Sequence, residues 1–475
     1  MQAQQHTYYW HDYETYGLSP SLDRPSQFAG IRTDMDFNII SEPDMFYCRL
    51  SNDYLPNPES AIITGITPEI TQAEGIPEYQ FAHKINQQFT QINTCVVGYN
   101  NIRFDDEFTR NIFYRNFYDP YEYSWKNGSS RWDIIDLVRA TYALRPEGIK
   151  WPKNELGLPS FRLELLTEAN GISHEQAHDA TSDVYATIAI AKLIKQQSPK
   201  LFNYYFELRN KHKVKALIDV EQMTPLVHVS GMFGSARGNL SLVSPIVWHP
   251  INTNAVVVVD LTQDVSPLLE LSADEIRERL YTKRDELGDK TAIPLKSIHI
   301  NKCPFIAIAK TLLPENSERL GIDTKNCLAN LDRLKNYKRL TSVLSEVFDQ
   351  ERIFDNKNNV DAMLYDGFFS FDDKRVFGKI RNSAAEKLVT FESDVSDKRF
   401  KELLFRYRAR NFPDSLTNKE QEQWDNHIQL ALAPQIPDYF SNLDQLREQY
   451  QRDEQKVQII SMLEKYAKKI TDHLN

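Results

Sequence analysis

Residues 10–17 read WHDYETYG, and in them Asp12 and Glu14 stand two apart directly after Tyr8, Tyr9 and Trp10. Aromatic residues favour strands, and on a strand residues i and i+2 project from the same face. The two carboxylates therefore point together into one site. Anions held that close repel, and solvent exposure, a shared proton or a divalent cation could offset the repulsion. Solvation is the ordinary outcome for a lone D-x-E. Its place at the end of an aromatic strand opening an α/β segment, where strand ends build sites, weighs the other way. A second stretch, VVGYNNIRFDDEF, delivers Asp105 and Asp106 after a strand and an Asn-Asn turn. A third, AHDATSDVYATIAIAKL, sets His178 five residues before Asp183. Five helical residues turn about 500°, so these two do not share a helix face. His178 belongs in the preceding loop and Asp183 in the first turn, where amide dipoles favour an anion. Each also has a structural reading: a helix cap, a satisfied loop histidine, a first-turn charge.

The elements that must position these groups alternate. Strands are expected at 7–15, 27–34, 44–50 and 94–100, the first three as a meander and the fourth after a helix. In 76–92, Phe81, Ile85, Phe89 and Ile92 share a helix face. In 179–197, Asp179 is a plausible cap, with Val184, Ile188, Ala191 and Leu193 turned inward. The first domain is thus α/β, over 1–198. From 199 to 350 short β-rich pieces with turns near Gly231, Gly234, Gly238 and Pro250 suit a mostly β, barrel-like domain with some helix inserted. A polar linker falls at 351–357, and 358–475 reads as helical, with Phe400, Leu403, Leu404 and Tyr407 on one face.

The chain has 475 residues, 41% hydrophobic and 26% charged, enough for several cores. Apolar runs fall far short of the roughly 20 residues a membrane helix needs, and no secretory signal is visible at the start. Four scattered cysteines, Cys48, Cys95, Cys303 and Cys327, form no C-x-x-C, which argues against a zinc site or disulfide scaffold and for a cytoplasmic protein. A net charge of −10 disfavours a nucleic-acid partner on its face. The runs RNKHKVK (209–215) and KRFKELLFRYRAR (398–410) are nonetheless strongly basic, as phosphate patches or as solvated helix faces. No phosphate-binding G-x-x-x-x-G-K-[ST] loop occurs.

The order D-x-E, then D, then H-x-x-x-x-D, in three pieces of one α/β domain, resembles the DEDDh family of 3′-to-5′ exonucleases. LDRPSQFAGIRTD, TGITPE, GYNNIRFDDEFTRNIFYRNFYDPY, YALRPEGIKWP, LVHVSGMFG, HINKCP and YRARNFP extend the likeness, so that most of the chain is similar to the bacterial exodeoxyribonuclease I family. The match is weakest after about residue 350, and no functional residue is carried over from there. The resemblance implies a ribonuclease H-like exonuclease domain, an SH3-like β domain and a C-terminal helical domain. It implies metal ligation by Asp12, Glu14, Asp105 and Asp183, with His178 as general base, and selects Asp105 over Asp106. Two Mg²⁺ ions, or Mn²⁺, suit such oxygen donors. Asp12 would bridge them, Glu14 and Asp183 completing one ion's shell and Asp105 holding the second. A histidine with an ordinary pKa of about 6.5 is mostly free to accept a proton at neutral pH.

Single strands are held by basic residues and aromatic surfaces, and RNIFYRNFYDPYEYSW (110–125) interleaves the two. By resemblance Arg110, Tyr121, Trp125, Arg139 and Arg162 contact single-stranded DNA, Arg162 near the terminal phosphate. Lys211, Asn254, Lys296 and Asn301 do so from the second domain, and Glu14 also touches substrate. The implied activity is processive release of 5′-mononucleotides from the 3′ end of single-stranded DNA, serving repair and recombination. The implied enzyme is a monomer away from membranes, partnered by single-stranded-DNA-binding protein through its acidic tail. The alternatives are an RNA-trimming or proofreading exonuclease and a non-catalytic single-strand-binding module. A glycosidase using Asp12 and Glu14 would leave Asp105, His178 and Asp183 without a task.

Overall fold

The structure, a computed structural model, describes residues 5–174, 179–350 and 359–472. Strand β1 (Thr7–Thr15) carries the aromatic run. Its odd residues Tyr9 and Tyr13 enter a core with Phe28, Phe81, Ile85, Phe89, Val96, Phe108 and Ile112. Its even residues Tyr8 and Trp10 face the other way onto Phe37, with Trp10 Nε1 donating to Thr33 Oγ1 at 2.9 Å. Asp12 and Glu14 continue that even face. Strand β2 (Pro25–Thr33) runs antiparallel to β1, placing Ala29 opposite Asp12 and Gln27 opposite Glu14. Strand β3 (Asp44–Tyr47) completes the expected meander. Strand β4 (Thr94–Gly98) lies parallel to β1, and with β5 (Ser130–Asp133) the order is β3-β2-β1-β4-β5.

The helix Glu78–Phe89 buries Phe81, Ile85 and Phe89 as its period requires. Ile92 departs from the expectation. Thr90 caps the helix, the chain turns at Asn93 with φ 59°, and Ile92 is left half exposed. The helix Ala180–Gln197 begins where Asp179 Oδ1 accepts from Ser182 N at 3.1 Å, a cap as read. Val184, Ile188 and Ala191 are buried, whereas Leu193 is only partly so, because Ile190 and Ile194 take the inner positions.

The chain folds as two compact units that interleave in sequence, 1–131 with 174–187 and 356–475, and 132–173 with 188–355. The second unit holds an antiparallel sheet, β10-β6-β7-β8-β9. Its strands are β6 (Leu226–Val229), β7 (Leu240–Trp248), β8 (Ala255–Asp260), β9 (Leu295–His299) and β10 (Phe305–Ile308). Four of the five follow the sequence pattern, and the four-residue β10 was not foreseen. Helices Pro314–Arg319, Thr324–Asn336 and Leu340–Val347 give this unit more helix than its β-rich texture suggested. The linker expected at 351–357 lies outside the described residues.

The helical segment after residue 358 shares a core with the N-terminal part of the first unit: Leu55, Ala61 and Ile62 pack with Trp424, Ile428, Leu443, Ile460 and Leu463. The basic run 398–410 is neither a solvated face nor a phosphate patch. In helix Phe400–Asn411 the apolar face Phe400, Leu403, Leu404 and Tyr407 is buried, but so are Arg406 and Arg408. Arg410 bridges Asp53 at 2.7 Å and Asp361 at 2.5 Å, Arg406 reaches Asp361 at 3.1 Å, and Arg408 pairs with Glu420 at 2.6 Å. Burial alone would raise the carboxyls of Asp53 and Asp361; Arg410 and its neighbours outweigh it and hold both well below the usual range. Arg410→Ala takes the shortest ion pair from each of two buried carboxylates, leaving Asp361 with Arg406 at 3.1 Å and Asp53 with Arg24 at 4.0 Å, and a loss of up to about 3–5 kcal/mol is expected. Urea unfolding of the parent and variant at pH 7 checks it; the difference should shrink as acid protonates the two aspartates, since their contribution is lost as pH falls.

Candidate metal and nucleic-acid site

One oxygen each from Asp12, Glu14 and Asp183 lie within 4.8 Å of one another. Strand β1 supplies the first two by its two-residue period. The third comes from the first turn of helix Ala180–Gln197, and that turn is tied to the sheet by Gln27. This buried amide donates through Nε2 to Asp179 Oδ2 at 3.3 Å and accepts from Ala180 N through Oε1 at 3.2 Å. Because Gln27 sits opposite Glu14 in the β1–β2 register, the helix start is brought to the carboxylate pair. On the other side, Asp105 opens helix Asp105–Arg115, and its Oδ1 accepts from Tyr13 N, the amide between Asp12 and Glu14, at 3.2 Å. The neighbouring Asp106 turns away. It is fully buried, paired with Arg131, and accepts from Asn101 Nδ2 at 3.2 Å. His178 lies outside the described residues. Another histidine, His174, which sequence reasoning passed over, donates from Nε2 to Asp183 Oδ1 at 2.5 Å.

Among the described residues, the charges that act on Asp12 and Glu14 are carboxylates. Burial, then Asp105, Glu14 and Asp183, raises the Asp12 carboxyl well above its ordinary range. Burial, then Asp183 and Asp105, pushes Glu14 up to about 9. Without a cation, Glu14 therefore keeps its proton at neutral pH. Carboxylate oxygens are the donors that hard divalent cations take, and a cation bound among them displaces such protons. The donor set fits a divalent cation.

The residues expected to meet a single strand fall into two groups. In the first unit, Arg110 is buried with three partners of its own: Glu107 at 2.7 Å, the Tyr365 hydroxyl at 3.3 Å, and the Tyr121 ring at 5.3 Å. Trp125 is 64% exposed. Phe368, 82% exposed, meets the Tyr121 ring edge-on at 5.9 Å, and the Tyr365 hydroxyl donates to Glu107. Phe368 and Tyr365 escaped the sequence reading. The adjacent Phe pair in LYDGFFSFDD, stranded in a polar stretch, was the available signal. In the second unit, Lys211 Nζ donates to Asn254 Oδ1 at 3.4 Å, and Lys296 Nζ lies 4.8 Å from the Phe233 ring centre. Arg139 donates to Asp136 at 2.7 Å and lies against Gly231, where a Cβ would sit 3.0 Å from Nη2. Arg162 and Asn301 are exposed, Arg162 Nε donating to Glu164 at 2.6 Å.

Comparison with known proteins follows this geometry. The chain matches the family models of an exonuclease domain over residues 9–191, an exonuclease I SH3-like domain over 209–350 and an exonuclease I C-terminal domain over 358–470. It is 54% identical to exodeoxyribonuclease I of Escherichia coli (strain K12) over 468 residues, 98% of each chain. The chain belongs to the exodeoxyribonuclease I family. Exodeoxyribonuclease I of Haemophilus influenzae is 53% identical, again over 98% of each chain. The E. coli exonuclease I crystallised with a dA16 oligonucleotide superposes with a TM-score of 0.97 at 54% identity, covering 98% of this chain and all of that one. An E. coli complex with single-stranded DNA in a zinc-bound form has a TM-score of 0.95 at 53% identity over 98% of this chain and all of that one. A structure of SSB and exonuclease I with the inhibitor CFAM has a TM-score of 0.93 at 52% over the same shares.

Titration of Glu14 gives a measurable signature. The folded protein holds a proton up to about pH 9 that an ordinary glutamate releases near 4.5. Across that window the folded state binds more protons than the unfolded, so stability falls as pH rises. In EDTA the melting temperature is expected to drop from pH 6 to pH 9. Glu14→Gln should flatten the slope, and Mn²⁺ should raise the melting temperature more at pH 9 than at pH 6. Calorimetric scans of both proteins at the two pH values check this.

Proposed function

We propose that this protein is a divalent-cation-dependent exonuclease that removes 5′-mononucleotides processively from the 3′ end of single-stranded DNA, in the cytoplasm, during repair and recombination. The observation that carries the reading is the convergence of Asp12, Glu14 and Asp183 within 4.8 Å in a member of this family. Asp12, Glu14 and Asp183, with Asp105 beside them, would hold the cations, Mg²⁺ or Mn²⁺. Bound there, a pair of such ions supplies Lewis-acid activation of a water and charge stabilisation for a departing oxygen. His178 takes the proton of the attacking water. The water oxygen bonds to the terminal phosphorus as the P–O3′ bond breaks, the departing O3′ takes a proton from solvent, and a nucleoside 5′-monophosphate leaves a shortened strand ending in a 3′-hydroxyl. Glu14 borders the substrate, and Arg162 serves its terminal phosphate.

Tyr121, Trp125 and Phe368 offer faces on which bases stack, with Arg110 lying over the Tyr121 ring. Lys211, Asn254, Lys296, Asn301 and Arg139 track the backbone in the second unit. The oligonucleotide complex of the E. coli relative supports a single-stranded DNA substrate, and its zinc-bound form supports a cation site. The SSB–exonuclease I structure supports docking of single-stranded-DNA-binding protein, which we assign to its acidic tail. The enzyme acts as a monomer, and no helix among the described residues is long and apolar enough to cross a membrane.

Digestion of a 5′-labelled single-stranded DNA oligomer, with and without Mg²⁺, tests the reading. Mononucleotide release from the 3′ end only with the metal is expected; equal degradation of a matched RNA oligomer would refute the DNA assignment. Asp183→Ala should abolish hydrolysis yet leave single-strand binding in EDTA largely intact. His178→Ala should cut the rate by about 100-fold or more, the scale of general base catalysis. Phe368→Ala should weaken single-strand binding by about 1–3 kcal/mol, the scale of one base stacked on an aromatic ring. Fluorescence anisotropy in EDTA measures that loss.

A further inference from the structure

We propose that His174 is a positioning residue that orients the Asp183 carboxylate for the cation; the inference rests on the metal-site reading above. Its imidazole is 4% exposed, and Nε2 lies 2.5 Å from Asp183 Oδ1. A carboxylate oxygen only accepts, so Nε2 carries the proton and donates it. The need for such an anchor follows from what surrounds Asp183. Gln27 fixes the backbone at the start of its helix, through Asp179 and Ala180, but leaves the Asp183 side-chain torsions unset. Oxygens of Asp12 and Glu14 lie within 4.8 Å of it, and Asp183 is 18% exposed. A side chain with its torsions unset at a partly exposed position turns toward solvent as readily as toward the pair. Fixing one oxygen against a buried imidazole sets the carboxylate plane and so where the second oxygen reaches. Histidine does this with a rigid ring on a separate loop, independent of the strand that carries the other two groups.

Partners of this kind, one bond removed from a metal, typically change metal affinity 10–100-fold when deleted. The test uses the full-length protein without DNA and reads Mn²⁺ binding from the free-ion EPR signal. His174→Leu, similar in bulk and without a donor, is expected to raise the Mn²⁺ dissociation constant about 10–100-fold. His174→Gln, whose amide restores an N–H donor, is expected to recover most of that loss. Single-strand binding in EDTA, equal to that of the parent, certifies that each variant is folded. Asp183→Asn serves as the reference and should lose Mn²⁺ binding. The proposal is overturned if His174→Leu binds Mn²⁺ within twofold of the parent while Asp183→Asn does not, or if His174→Gln binds no better than His174→Leu. Normal Mn²⁺ binding by Asp183→Asn would instead bring down the metal-site reading, and the proposal with it.

Discussion

Negative charge crowded where water is scarce is the constraint on which the first unit depends. Asp12 and Glu14 extend the outer face of β1, Asp183 approaches from a helix, and Asp105 bonds to the amide between the first two. Each addition raises the cost of ionising the others, which is why Glu14 is pushed up to about 9 and Asp12 well above its usual range. A site of this kind cannot be held together by its own groups. The hold comes from outside: the aromatic core beneath β1, the Gln27 amide spanning to Asp179 and Ala180, and the Tyr13 amide that Asp105 accepts from.

The same unit handles other buried carboxylates differently, and the contrast separates structure from function. Asp106 has Arg131, Glu78 has Arg115 at 2.7 Å, and Asp53 and Asp361 share Arg410. In each case a guanidinium of the chain supplies the positive charge, and the pair is closed. Around Asp12 and Glu14 the charges that act are Asp105, Asp179 and Asp183, all of one sign. Among the described residues no guanidinium stands beside them, and carboxylates so grouped suit a divalent cation. Burial alone does not distinguish the two kinds, since Asp106 is more deeply buried than any carboxylate of the site. The sign of the neighbours does.

This explains what the sequence could and could not say. The two-residue period of β1 was legible because a strand makes it local, and the Asp179 cap because capping needs only three residues. Choosing Asp105 over Asp106 was not possible from spacing, since adjacent helical residues diverge toward partners distant in sequence, here Tyr13 and Arg131. Only the family pattern selected between them. The arginines of 398–410 read as a phosphate patch or a solvated face because the partners of Arg406, Arg408 and Arg410, namely Asp53, Asp361 and Glu420, lie elsewhere in the chain. Gln27 and His174 went unnoticed for a related reason: an amide in a strand and a histidine in a loop carry no signal until a helix start or a carboxylate is placed beside them. Ile92 failed more simply, because a helical period does not announce that Thr90 will end it.

The helical last third illustrates why an unread segment can still be tied to the site's surroundings. Its core is continuous with residues 55–62, and Phe117 packs against Phe377, Phe400 and Tyr407. Docked in this way, it presents Tyr365 and Phe368 to Arg110 and Tyr121, more than 240 positions earlier. Arg110 spends its charge inside this cluster, on Glu107 and across the Tyr121 ring. It therefore ties Glu107, Tyr365 and the Tyr121 ring together. Leaving Phe368 and Trp125 mostly in water costs apolar exposure. A ligand with flat apolar surfaces, such as unpaired bases, repays that cost by stacking. Phosphate recognition alone gives no reason to keep those rings in solvent.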